Sequence, residues 1–182
     1  MENIIKEETY KNYTIRIVSD EESANFMDNP IEMCECNEKT TFFSNQRCNS
    51  YKHSLSEIVD NCDDFDEYMS EHYTHYLPIY GYSHGGMELS LSNESYPFNC
   101  PFDGFLYGVI TTNETNITKE EFTKTISSYI KEFNDLSNGE IYGYQIIDKN
   151  NEETDSCYGF VGESSIADMI EDCKSIIDGY KK

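Results

Sequence analysis

The chain has 182 residues, with 35 Asp and Glu against 13 Lys and Arg, for a formal net charge of −22. Its 37% hydrophobic content, with 15 tyrosines and 10 phenylalanines, is enough to build a core and excludes a charged disordered chain. The negative field excludes direct nucleic-acid binding, which needs Lys and Arg against phosphates, and leaves basic proteins or divalent cations as partners.

Residues 1–12 carry neither the basic region nor the apolar core of a signal peptide, and they are a candidate disordered N-terminus. Tyr13 to Val18 reads as a first strand, and residues 25–52 read as irregular. Leu55, Ile58, Cys62, Phe65, Met69 and His72 recur at three- and four-residue steps, which predicts one amphipathic helix from Ser54 to His72. Strands follow at Tyr76 to Tyr82, Met87 to Ser92 and Phe105 to Thr112, the last two separated by a turn-rich stretch with two prolines. Thr118 to Glu121 forms a capping box for a second helix, which Asn138-Gly139 stops. A hairpin of Ile141 to Ile147 and Asp155 to Val161 leads to a last helix from Ser165 to Tyr180. Strands in runs with helices between them predict a single α+β domain over 1–182, a mostly antiparallel sheet with about three helices packed on it. No apolar run reaches the length of a membrane span, so a cytoplasmic protein without membrane contact is expected. Its seven cysteines are then reduced thiols, and the sequons at Asn12, Asn93, Asn113 and Asn116 carry no glycan.

Gly81-Tyr82-Ser83-His84-Gly85 fits the G-x-S-x-G of a serine hydrolase. That pattern needs a strand before it and a helix after it, and here Met87 to Ser92 alternates like a strand, so a glycine-rich hairpin is expected. Cys100, between Asn99 and Pro101, is read as packed under a turn flanked by Phe98 and Phe102 and not as a nucleophile. Cys34, Cys36, Cys48 and Cys62, with His72 and His75, lack the paired knuckles of a zinc site, and Asp148 to Glu153 lacks the glycine and terminal glutamate of a calcium loop. No metal or cofactor is expected. The predicted helix over Ser54 to His72 is more informative. Glu57, Asp60, Asp64, Glu67 and Glu71 stand opposite its apolar stripe, flanked by Asp63 and Asp66. Neighbours about 5–6 Å apart resemble the phosphates of a DNA strand, and mixed signs would serve solubility better.

Two groups of motifs carry a family resemblance. Leu77 to Gly86, Phe98 to Gly104 and Gly108-Val109-Ile110, followed by Gly139-Glu140-Ile141-Tyr142-Gly143-Tyr144 and Asp155-Ser156-Cys157-Tyr158-Gly159-Phe160, resemble small proteins of bacterial phages and mobile elements. The resemblance covers residues 15–162, with Tyr158 where tryptophan is usual and Gly85 where serine is common. Within that group the chain is similar to type II-A anti-CRISPR proteins. The resemblance implies a Cas9 inhibitor in the cytoplasm of a bacterial host, acting without catalysis. Physically, an acidic surface with aromatic anchors suits the basic channels and arginines with which Cas9 holds nucleic acid. The expected contact residues are Glu57, Asp60, Asp63, Asp64, Glu67 and Glu71 with Tyr80, Tyr82 and Tyr96. The alternatives are a DNA mimic directed at a restriction enzyme, and a small hydrolase or thiol enzyme using Ser83 or Cys100.

Overall fold

The structure is a computed structural model that describes residues 3–20, 22–23, 27, 29–33, 38–45, 52–60, 62–84, 86–91, 98 and 102–180. In chain order these residues form β1 (Ile4–Tyr10), β2 (Tyr13–Ser19), α1 (Pro30–Met33), β3 (Thr40–Ser44), β4 (His53–Ser54), α2 (Ser56–Val59), α3 (Phe65–His72), β5 (His75–Ser83), β6 (Met87–Leu91), β7 (Gly104–Thr112), α4 (Lys119–Ser137), β8 (Ile141–Ile147), β9 (Glu153–Val161) and α5 (Ser165–Gly179). The fold is α+β, and every strand pairing except β3 with β4 is antiparallel. No helix among the described residues is long and apolar enough to cross a membrane. The chain divides into two compact units, Met1–Met27 with Asn138–Lys182, and Asp28–Ser137.

The first unit is a four-stranded sheet in the order β1-β2-β8-β9. One face, with Ile15, Ile17, Tyr144 and Ile146, packs on Met169, Ile170, Cys173 and Ile177 of α5. The candidate disordered N-terminus is instead strand β1, joined to β2 through Lys11, whose φ of 54 is the left-handed value a tight hairpin turn needs. Periodicity missed it because an exposed edge strand carries charge, here Lys6, Glu7 and Glu8, and Glu7 accepts from Arg16 Nε at 2.8 Å. The two later motifs face each other as β8 and β9. Gly143 lies opposite Tyr158, and a Cβ on that glycine would sit 2.3 Å from the tyrosine ring. The register shifts beside this pair, and Gly159, at φ 88, donates its N–H to the buried Asp20 carboxylate at 2.9 Å. The motif glycines thus make room for a ring and form a bulge.

The second unit is a five-stranded sheet in the order β4-β3-β7-β5-β6, with helices on both faces. Phe42, Leu77, Ile79, Leu89 and Ile110 pack on Phe122, Ile126 and Ile130 of α4 and on Ile31 of α1. α4 begins with the expected capping box, in which Thr118 N–H donates to Glu121 at 2.9 Å and Glu121 N–H donates to Thr118 Oγ1 at 3.2 Å. Asn134 on α4 accepts from Leu89 N–H at 2.8 Å and donates to Leu89 O at 2.9 Å, a side chain closing part of the edge of β6 as a further strand would. Phe43 and Val109 on the opposite face pack on Leu55, Ile58 and Met69, with Cys62, Phe65 and Tyr68 partly buried beside them.

The predicted helix from Ser54 to His72 is therefore not continuous. α2 ends at Val59 and α3 starts at Phe65. The sequence between them, Asp60 to Asp64, is mostly Asp and Asn, which bond to backbone outside helices and favour caps. Asp64 is the N-cap of α3 and accepts from Glu67 N–H at 3.0 Å. The apolar stripe still faces the sheet, but in two pieces, and His72 stacks on Tyr68 outside the core. The irregular stretch at 25–52 contains α1 and β3, Thr40–Ser44, whose consecutive Phe42 and Phe43 are buried on opposite faces and so show no alternation.

Candidate functional site

The acidic residues lie where α2 and α3 turn away from the sheet. Glu57, Asp60, Asp63, Asp64, Asp66, Glu67 and Glu71 are all exposed, since the apolar residues between them are committed to Phe43 and Val109. Because the helix is broken, these carboxylates form a patch and not the evenly spaced helical row expected. Several have local duties. Glu57 accepts from Ser54 N–H at 2.9 Å and lies 3.7 Å from His53 Nδ1, Asp64 caps α3, and Asp66 accepts from Tyr76 Oη–H at 3.0 Å. Asp60, Asp63, Glu67 and Glu71 make no ion pair among the described residues. From His53 to Thr118 the sequence holds 11 Asp and Glu and no Lys or Arg.

Strand alternation sets the face on which the tyrosines of β5 lie. Leu77, Ile79 and Gly81 of β5 point toward α4, which leaves Tyr76, Pro78, Tyr80 and Tyr82 on the face that α3 covers at Tyr76. Tyr80 and Tyr82 are partly buried, and Tyr82 lies opposite the exposed Glu88 of β6. Tyr82 stacks on Phe98 with centroids 5.4 Å apart. Burial raises the pKa of Tyr73, with Tyr68 and Glu57 adding to the effect. Burial also raises Tyr76, helped by its hydrogen bond to Asp66. Both phenols therefore stay neutral donors beside the carboxylates. A hollow of about 180 Å³ is lined by Ser70, Tyr73, Thr74, His75, Tyr76 and Lys119. That is below the roughly 300–1,000 Å³ of small-molecule sites.

The Ser83 motif lies in a hairpin, since β5 runs antiparallel to β6 with Ser83 opposite Met87, and no helix follows it. Tyr96, Cys100, Cys34, Cys36 and Cys48 lie outside the described residues. His72 Nδ1 lies 2.8 Å from Tyr68 O and His75 Nε2 lies 2.9 Å from Ile117 O, so the two histidines are engaged at different places. Among the described residues no group of three or more His, Cys, Asp or Glu is placed to hold a metal ion. Sequence reasoning missed one residue. Phe102, read only as flanking the turn around Cys100, is 93% exposed, while Phe98 packs on Tyr82. The neighbouring Asp103-Gly104 marked a turn, and a turn tip seldom buries its side chains.

Compared with models of protein families, with curated proteins and with solved structures, the chain matches none.

Proposed function

We propose that the chain is a non-catalytic inhibitor that binds a basic, nucleic-acid-handling protein in the bacterial cytoplasm. Cas9 is the partner its motifs suggest. The observation that carries the reading is the acidic patch on α2 and α3, set in a stretch without a single Lys or Arg. Carboxylates such as Asp60, Asp63, Glu67 and Glu71, without ionic partners among the described residues, attract basic surfaces over a Debye length and offer charge-assisted bonds on contact. On β5, Tyr80 and Tyr82 supply large apolar area with polar tips at a small entropic cost. Unevenly placed carboxylates fit a binder that matches one basic surface better than a copy of the DNA backbone.

The test is retention of the purified chain on immobilised Cas9, with and without guide RNA, beside a type I restriction enzyme. Retention on Cas9, weakening as salt rises, is the expected result. Retention on the restriction enzyme alone would move the reading to anti-restriction. Retention on neither would overturn it.

A further inference from the structure

The turn that leads into β7 holds a ring in water on a fixed base. Phe102 is 93% exposed, and the next residue ties its turn down. Asp103 O accepts from Ser83 N–H at 3.0 Å, and its carboxylate lies 3.4 Å from His84 Nδ1. Tyr82, opposite Gly104 of β7, brings a second ring to the same end of the sheet, and Glu88 lies across from it. A single exposed apolar side chain is ordinary on a protein surface. An exposed phenylalanine on a tethered turn, with another aromatic and two carboxylates close by, is a recognition arrangement.

We infer that Phe102, Tyr82, Asp103 and Glu88 form a docking surface for an arginine-rich patch on a basic protein. The guanidinium is planar, so it stacks on a ring and meets a carboxylate with two parallel N–H bonds, whereas a lysine brings only a point charge. A second copy of this chain is a poor occupant, because two bodies of charge −22 repel. Single-stranded nucleic acid also stacks on exposed rings, but such sites need a positive groove, and residues 53–118 contain no Lys or Arg. The inference rests on the chain being a binder of basic proteins and specifies arginine as what it selects.

The experiment measures fluorescence anisotropy of labelled nona-arginine and nona-lysine peptides with the whole chain. Wild type should bind the arginine peptide about fivefold more tightly than the lysine peptide. Phe102→Ala should erase that preference and leave the lysine peptide unaffected, which also shows that the variant is folded. Asp103→Asn should weaken both. Equal binding of the two peptides by wild type, or a preference that survives Phe102→Ala, overturns the arginine surface and leaves the acidic-patch reading standing. Binding of neither peptide overturns both. Sedimentation of wild type as a dimer that Phe102→Ala dissolves, or binding of oligothymidylate lost in the same variant, assigns the surface elsewhere and overturns the inference.

Discussion

Single glycines show how tightly side chains set this backbone. A Cβ at Gly108 would lie 2.4 Å from the Phe42 ring and 2.5 Å from the Phe43 carbonyl oxygen, and neither a core ring nor backbone yields easily. Gly108→Ala should cost about 1–3 kcal/mol, the usual penalty of overpacking. Gly86, with nothing within 4 Å of its Cβ position, should accept alanine with almost no change. Urea midpoints of the two variants check the contrast. Two buried ionisable side chains in the first unit set a further expectation. Burial, helped by Asp172 and Asp155, lifts the Cys173 thiol from its ordinary 9.0 to about 12. Burial and then Asp155 lift Tyr144 from 10.0 to about 12. Both groups are neutral when protonated and hold their protons more tightly when folded. Their stabilisation is therefore complete below the unfolded values and is lost as pH rises toward about 12. Urea titrations from neutral pH upward should show stability falling from about pH 9, and Cys173→Val should delay the onset toward the tyrosine range. A flat profile across that window would contradict the assignment.

At the level of elements, Asp64 and Asp63 stand side by side with different work. Asp64→Ala removes the cap of α3 and should cost about 0.5–2 kcal/mol. Asp63→Ala touches no such bond and should be neutral or slightly stabilising through relief of like charge. Thermal melts of both variants decide it. The same pair shows what the sequence could and could not convey. The three- and four-residue spacing of Leu55, Ile58, Cys62, Phe65, Met69 and His72 predicted which side chains meet the sheet for all but His72, because burial sets that pattern. It could not show that Asp60 to Asp64 breaks the helix, because capping depends on a competition with local bonds that periodicity does not register. α4 and α5 were legible from end to end, their stripes being long and their stops clear. β1 and β3 were not, one too charged and the other, with Phe42 and Phe43 buried on opposite faces, without alternation. At the candidate site the carboxylates and Tyr82 could be picked out from type and spacing. Phe102 could not, because whether a turn aromatic points inward or outward is set by what lies under it.

For the whole molecule, charge sets the decisive measurement. Asp60→Lys, Asp63→Lys, Glu67→Lys and Glu71→Lys together reverse the part of the patch that has no ion pair among the described residues, and they spare the cap at Asp64. Association with Cas9 should slow at least tenfold, as steering reverses, and most strongly at low salt, where screening over about 8–10 Å is weakest. A folded variant that associates like wild type at every salt concentration would reduce the negative charge to a matter of solubility. The division into units acts on a different timescale. Thr14 pairs with Ile147, so the sheet of β1 and β2 is completed only by strands from the far side of Asp28–Ser137. On the ribosome, the first hairpin emerges with Ile15, Ile17 and Val18 exposed and no partner strand yet made, and a lone hairpin is marginal in water. The inserted unit, continuous in sequence, can close while synthesis continues. β1 and β2 are thus translated before the inserted unit and completed after it, and until β8 arrives the nascent chain carries the open edge of β2, on which Arg16 is the charged residue.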